Sequence, residues 1–129
     1  MSISITHIDH IVMTVNNIDE TIWFYCDVLG MKEIEYDDDR HAVQFGNQKI
    51  NLHPKTNDIS STAEFPTPGS LDICFISNTP VDEVSSMLLK HGIDVEAGPV
   101  KRQGATGKII SVYCRDPDGN LVEISNSRN

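Results

Sequence analysis

The sequence lacks an apolar stretch close to the ~20 residues that a membrane-spanning helix needs, and its first residues have neither the basic nor the apolar segment of a secretory signal. Its three cysteines, Cys26, Cys74 and Cys114, show no CxxC spacing, so a disulfide framework is not expected. Ten basic residues against 19 acidic ones give a net charge of −9, which argues against a nucleic-acid surface. We therefore expect a cytoplasmic protein that binds neither nucleic acid nor membranes.

The remaining composition is typical of a folded domain. The chain has 129 residues, of which 39% are hydrophobic, and this is enough to bury a core. The sequence therefore predicts one domain over residues 1–129.

The first half contains one helix between short strands. Asn17 and Glu20 have the spacing of a capping box at its start, and Gly30 has the position of a left-handed residue at its end. Apolar residues follow at helical spacing: Ile18, Ile22, Tyr25 and Leu29. Runs rich in β-branched and apolar residues predict strands over 8–15, 31–36, 41–45 and 49–53.

The second half repeats this order. A strand is predicted over 71–77, and Thr79 is the expected N-cap of a helix with Pro80 as its first residue and Gly92 at its end. Further strands are predicted over 93–97, 109–114 and 121–125, with a turn at 116–120. Residues 98–108 are interpreted as a loop inserted only in this half, where 103–107 lacks the pattern of a phosphate loop.

Landmarks of the two halves stand 62 residues apart (92 − 30 for Gly30 and Gly92, 79 − 17 for Asn17 and Thr79). This agreement indicates a duplicated module. The predicted fold class is α+β, with two tandem βαβββ modules that form a concave mixed sheet with the helices outside. Module one spans residues 5–54, a linker spans 55–69 and module two spans 70–126.

The repeat aligns polar residues on one face of the strands. Because alternate residues of a strand share a face, His10 and Thr14 are expected opposite the helix, and a shift of 62 makes Asp72 the equivalent of His10. Asn51 and Glu123 are each polar between two aliphatic neighbours, so each faces solvent or a polar cavity. If the modules pack side by side, these residues share one trough.

At these residues the sequence resembles the vicinal oxygen chelate superfamily, which includes glyoxalase I, fosfomycin- and bleomycin-resistance proteins and extradiol dioxygenases. The segments that carry the resemblance are 10–15 (HIVMTV), 24–31 (FYCDVLGM) and 116–124 (DPDGNLVEI). The segments 48–53 and 66–70 make it similar to the branch of glyoxalase-domain-containing protein 5 and its bacterial virulence-associated relatives.

The resemblance implies a divalent metal ion held by His10, Asp72 and Glu123. Asp72 stands where the superfamily usually has a second histidine, and Asn51 where it often has Glu or Gln. His53 lies two residues after Asn51 and is an alternative ligand. A histidine with carboxylates suits Mn, Fe, Ni, Co or Zn without choosing among them.

The expected function is that of a metal-dependent lyase or isomerase acting on a small substrate rich in carbonyl or carboxylate oxygens. Glu123 is the candidate catalytic base, and His53, Arg102 and Thr14 are candidates for contacting the substrate. Cys74 is expected to be unreactive, because no neighbouring base is evident.

Three alternatives remain. The first is a metal-free small-molecule binding protein of the bleomycin-resistance type, and the second, less favoured, is an extradiol dioxygenase. The third is a partner-binding protein that has lost its site. The superfamily also implies a homodimer, in which one module of each chain commonly completes the cup of the other.

Overall fold

A computed structural model describes residues 1–128 of the chain. The chain forms two compact units, Met1–Thr67 and a second unit that begins at Pro68. No helix within residues 1–128 is long and apolar enough to cross a membrane. The elements in chain order are β1 (His10–Val15), α1 (Ile18–Ile22), a π-helix (Trp23–Val28), β2 (Lys32–Tyr36), β3 (Arg40–Phe45), β4 (Gln48–Pro54), β5 (Asp72–Ile76), α2 (Val81–Lys90), β6 (Ala97–Gln103), β7 (Lys108–Arg115) and β8 (Leu121–Ser127).

Each unit contains one four-stranded mixed sheet with the same connectivity. The strand order is β1-β4-β3-β2 in the first unit and β5-β8-β7-β6 in the second. In both units the first strand pairs in parallel with the last one, while the other pairs are antiparallel. Each unit is therefore a βαβββ module, which confirms the predicted α+β class and the duplication.

The helical segment of the first module begins as the predicted α-helix and then changes to the wider turns of a π-helix. The Asn17 side chain accepts a hydrogen bond from the Glu20 backbone N–H at 2.8 Å, so Asn17 caps the helix. From Trp23 onward the segment is a π-helix, and the Leu29 N–H donates to the Phe24 carbonyl at 3.0 Å. The regular α-helical spacing predicted up to Leu29 is therefore wrong beyond Ile22.

The start of α2 differs from the prediction. The Val81 backbone N–H donates at 2.8 Å to the side-chain oxygen of Asn126, a residue of β8, and not to Thr79. The Asn126 amide in turn donates to the carbonyls of Ser77 and Thr79, at 2.9 and 2.8 Å. The predicted Thr79 cap is wrong because Asn126, which lies 45 residues after Val81, already accepts the hydrogen bond from the start of the helix.

The region interpreted as a strand over 93–97 and a loop over 98–108 is also different. Strand β6 starts only at Ala97 and runs through Gln103 to form a hairpin with β7. Gly98 and Pro99 are accommodated because β6 is an edge strand whose pairing is irregular between Ala97 and Val100. A Cβ at Gly98 would collide with the Ser111 carbonyl oxygen, so glycine is required at this close approach.

The predicted turn at 116–120 is confirmed, and its first and last residues, Asp116 and Asn120, are buried. The Asp116 carboxylate accepts hydrogen bonds from the backbone N–H groups of Asp118 and Asn120, at 2.9 and 3.0 Å, and from the Asn120 amide at 2.7 Å. The Asn120 side-chain oxygen accepts from the Leu71 N–H at 2.8 Å. The turn thus ties the β7–β8 connection to the residue that precedes β5.

The apolar core lies on one face of each sheet. In β1, Met13 and Val15 are buried, whereas His10 and Val12 on the other face are exposed. Buried residues continue this face through β4 with Ile50 and Leu52 and into the helical segment with Phe24 and Tyr25. On the opposite face of the first sheet, the polar residues Asn51 and His53 lie beside the apolar residues Val12 and Ala42.

Candidate functional site

The pairing registers place the predicted site residues at equivalent positions of the two modules. His10 lies opposite Lys49, two residues before Asn51, and Asp72 lies opposite Leu121, two residues before Glu123. His10 and Asp72 are therefore structural equivalents, as are Asn51 and Glu123. These positions agree with the alignment of the two halves of the chain at an offset of 62 residues. The roles assigned to these residues remain predictions.

The second module has an open cleft of about 380 Å³ on the face of the sheet opposite α2. It brings together the predicted residues Asp72, Arg102 and Glu123 with three residues that the sequence analysis did not single out, Glu96, Tyr113 and Arg115. A cleft of this volume is large enough for a small metabolite.

Glu123 lies half-buried between two weakly acidic groups. Its partner in the parallel ladder is Cys74, and its partner on β7 is Tyr113. Burial is the largest cause that raises the pKa values of the Cys74 thiol and the Tyr113 phenol, and the nearby Glu123 carboxylate adds to both. The thiol and the phenol therefore stay protonated at neutral pH, and the Tyr113 hydroxyl, which lines the cleft, can donate a hydrogen bond to the Glu123 carboxylate.

The two arginines of the cleft differ in how far their charges are compensated. Arg115 forms a two-pronged ion pair with Glu96, with both N–O distances 2.9 Å. Arg102 instead donates from Nε to the Tyr113 hydroxyl at 3.0 Å. Within residues 1–128, neither Asp72 nor Glu123 forms an ion pair with a basic side chain.

The predicted residues of the first module lie on the same face of its sheet. Thr14 is paired with His53, which is buried, with a relative exposure of 5%. The Nε2 atom of His53 is 3.2 Å from a terminal nitrogen of Arg40. Burial, and secondarily the Arg40 charge, hold the pKa of His53 below its ordinary value. The Nε2 atom is therefore suited to accept a hydrogen bond from Arg40.

Two polar atoms of this face are buried and have no hydrogen-bond partner among residues 1–128: the side-chain oxygen of Asn51 and Nε of Arg40. His10, by contrast, is largely exposed, and its Nδ1 atom lies 2.9 Å from a carboxylate oxygen of Asp9. That hydrogen bond is the main cause that lowers the pKa of Asp9. Unsatisfied buried atoms are costly in a folded protein unless a ligand completes them.

Among residues 1–128, no group of three His, Cys, Asp or Glu side chains is arranged to hold a metal ion. The chemistry of the predicted donors nevertheless fits such an ion. Asp72 and Glu123 offer two carboxylates in one cleft, and His10 offers an imidazole. Oxygen and imidazole donors of this kind suit the divalent metals named above.

Of the three cleft residues that the sequence analysis missed, only Tyr113 carried a sequence signal that could have revealed it. On β7, Tyr113 lies between the buried residues Val112 and Cys114, in the pattern already used for Asn51 and Glu123. Glu96 and Arg115 had no such signal, because their pairing joins residues 19 positions apart.

Comparison with known proteins supports the reading of the fold. The chain is 52% identical over 121 residues to virulence protein STM3117 of Salmonella typhimurium, covering 94% of this chain and 84% of that protein. The crystal structure of STM3117 superimposes with a TM-score of 0.93 at 51% identity, covering 96% of this chain and 98% of that one. Two chains this similar share one fold, the vicinal oxygen chelate fold.

Two further relatives extend the comparison. The chain is 46% identical over 123 residues to glyoxalase domain-containing protein RDO1 of Mycosarcoma maydis, covering 95% of this chain and 69% of that protein. It is 27% identical over 120 residues to metallothiol transferase FosB of Shouchella clausii, covering 91% and 77%. The family model of the Glyoxalase/Bleomycin resistance protein/Dioxygenase superfamily matches residues 7–124, and the chain belongs to this superfamily.

Proposed function

We propose that the protein is a metal-dependent lyase or isomerase that acts in the cytoplasm on a small substrate carrying carbonyl or carboxylate oxygens. The observation that carries this proposal is the shared cleft of Asp72 and Glu123, where neither carboxylate forms an ion pair among residues 1–128. Carboxylate oxygens are the donors that hard divalent cations prefer, so two of them lining one cleft can hold such a cation.

In this proposal His10, Asp72 and Glu123 hold the ion. When bound, the metal supplies Lewis-acid stabilisation of the negative charge that develops on a substrate oxygen. Glu123 takes up a proton from the carbon next to that carbonyl group. Tyr113 accepts a hydrogen bond from Arg102 and interacts with the Glu123 carboxylate, so its hydroxyl would turn from Glu123 to donate to a substrate oxygen.

The remaining predicted residues contact the substrate. Arg102 attracts a carboxylate of the substrate, while Thr14 and His53 offer a hydroxyl group and an imidazole on the polar face of the first module. The name of FosB, a metallothiol transferase, supports metal-dependent chemistry among relatives. Lyase or isomerase chemistry is favoured here because a carboxylate base beside a metal-polarised carbonyl is what these reactions need.

Metal analysis of the purified protein tests the proposal. After incubation with Mn, Fe(II), Ni, Co or Zn and removal of excess ion, we expect one metal per chain and a higher melting temperature with the preferred ion. His10→Ala and Asp72→Asn should each lower the bound metal at least tenfold. His91→Ala, at the end of α2, is the matched control and should retain it. Metal content unchanged by either site variant would refute the assignment.

A metal-free binding protein is the second candidate. The observation that favours it is the lack, within residues 1–128, of a group of three donors arranged around one point, together with two arginines in the cleft. A nearby guanidinium weakens cation binding and favours an anionic ligand. The same experiment separates the two: substoichiometric metal with each ion would support this candidate.

We also propose a homodimer. Within residues 1–128, β1 and β2 are the edge strands of the first sheet and β5 and β6 those of the second, and β1 and β5 expose the apolar side chains of Val12 and Ile76. A partner chain would cover these groups. Light scattering coupled to size-exclusion chromatography should give about twice the 14.3 kDa chain mass, and a monomer mass at micromolar concentration would contradict the proposal.

A further inference from the structure

A second cleft in the same module is lined almost entirely by basic side chains. Its volume is about 550 Å³, larger than that of the cleft around Glu123. The lining residues are Lys101, Arg102, Gln103, Lys108 and Arg128. The chain has only ten basic residues and a net charge of −9, yet four of these basic residues line this one cleft. Basic residues spread evenly over the surface would not place four of the ten in one cleft.

The backbone around this cleft holds the charges at one place. Gln103 and Lys108 are partners at the end of the β6–β7 hairpin, whose turn is closed by a hydrogen bond from the Gly104 N–H to the Gly107 carbonyl at 2.7 Å. The Arg128 N–H donates to the Lys108 carbonyl at 2.9 Å, which holds the backbone of Arg128 beside the hairpin. The segment interpreted from sequence as a loop is thus an ordered support for basic side chains.

These charges are uncompensated. Among residues 1–128, none of the four basic side chains forms an ion pair with Asp or Glu. Like charges held close together repel one another, and an anion bound among them removes that cost. Arginine and lysine together recognise carboxylate and phosphate groups through charge-assisted hydrogen bonds.

Arg102 connects this cleft to the one around Glu123, because it lines both. Its Nε donates to the Tyr113 hydroxyl and one terminal nitrogen donates to the Lys101 carbonyl, each at 3.0 Å. The guanidinium is therefore held at the boundary between an acidic cleft and a basic one. A molecule with its reactive part beside Glu123 would extend past Arg102 toward Lys101 and Lys108.

We propose that the basic cleft binds a phosphate or carboxylate group of the substrate, whose reactive carbonyl part enters the adjoining cleft. This proposal rests on the function proposed above and narrows the substrate class to small carbonyl compounds with a strongly anionic end. Phosphate and carboxylate groups are both oxyanions, and we assign the oxyanion bound in this cleft to the substrate and not to a separate ligand.

The first test uses inorganic phosphate and nuclear magnetic resonance of ¹⁵N-labelled protein at 0.15 M salt. We expect saturable shifts of the backbone amides of residues 101–108. The double variant Lys101→Gln/Lys108→Gln should weaken binding about tenfold. The double variant Lys32→Gln/Lys90→Gln removes the same charge outside the cleft and should bind as the native chain does. Equal weakening in both variants would show a general charge effect and overturn the proposal.

The second test identifies the source of the oxyanion. Dihydroxyacetone phosphate, a small phosphorylated ketone, should bind at least threefold more tightly than inorganic phosphate, and Tyr113→Phe should remove that difference. Equal affinities would overturn the assignment to substrate. Tight binding of a single-stranded oligonucleotide in place of phosphate would also overturn it. Inorganic phosphate binding should persist in His10→Ala, so a failure of the metal proposal remains distinguishable from a failure of this one.

Discussion

Asn51 and Glu123 occupy the same position in the two modules, yet only one of them is accessible. Asn51 is 9% exposed and its side-chain oxygen is buried without a partner, while Glu123 is half-buried and lines an open cleft. The equivalent position is therefore neutral and buried in the first module, and acidic and open in the second. The chemistry proposed for the chain needs a base, and only the second module provides it at this position.

Replacement of Asn51 by leucine, which has nearly the same volume, tests whether its oxygen is unsatisfied. Removal of an unpaired buried polar atom should raise the free energy of unfolding by about 1 kcal/mol. Urea denaturation monitored by circular dichroism measures this change. A decrease in stability would mean that the Asn51 oxygen has a partner in solution.

The same substitution at Asn126 should have the opposite effect. Asn126 accepts a hydrogen bond from the Val81 N–H and donates two to the carbonyls of Ser77 and Thr79. Leucine would leave these groups unpaired and uncap α2, so we expect a loss of about 2 to 4 kcal/mol in the same denaturation experiment. Asn51→Leu serves as the matched control, and equal effects of the two variants would contradict both assignments.

The sequence was sufficient to predict the modules because their signals are local. The capping pair Asn17 and Glu20, the terminating Gly30 and the turn at 116–120 each involve residues within a few positions of one another. The equivalence of His10 and Asp72 followed from the repeat alone. These are the predictions that the structure confirms.

The errors arose where distant residues decide the outcome. Thr79 was expected to cap α2, but Asn126 reaches the helix from the neighbouring strand. Gly98 and Pro99 indicated a loop, but pairing with β7 makes Ala97–Gln103 a strand. The basic cleft was missed because its residues are distant in sequence. Arg128 lies near Lys101 and Lys108 only because the residue after β8 is hydrogen-bonded to the β6–β7 hairpin.

The depressed pKa of His53 predicts a pH dependence of stability. The unfolded chain takes up a proton near the ordinary pKa of 6.5, whereas folded His53 does so only at lower pH. Its contribution to stability is therefore complete above 6.5 and is lost as the pH falls below that value toward the folded-state pKa. His53→Gln should flatten the decline in unfolding free energy between about pH 7 and pH 5.

A titration of the histidine ring signals checks the cause of that shift. The pKa of His53 should lie below 6.5, and Arg40→Gln should raise it only in part, because burial is the larger cause. Full recovery in Arg40→Gln would make the charge of Arg40 the dominant cause instead. A native pKa at or above 6.5 would remove the predicted pH dependence altogether.

The three cysteines should differ in reactivity in an order set by burial. Cys114 has no exposed surface, and burial raises its pKa to about 11, with the neighbouring carboxylates of Asp116 and Glu96 adding to the rise. Cys26 is partly exposed and Cys74 is exposed, and the partial loss of water around each sulfur atom raises the pKa values of both thiols as well. Since the thiolate is the reactive form, all three should react more slowly than a free thiol.

Iodoacetamide at pH 8, followed by mass spectrometry of peptides, measures this order. We expect Cys74 to be modified first, Cys26 later and Cys114 only after unfolding in urea, because an alkylating agent needs both access and a thiolate. The denatured chain, in which all three thiols react alike, is the control. Modification of native Cys114 at the rate of Cys74 would mean that the β7–β8 core opens readily, which is incompatible with the buried hydrogen bonds of Asp116 and Asn120 beside it.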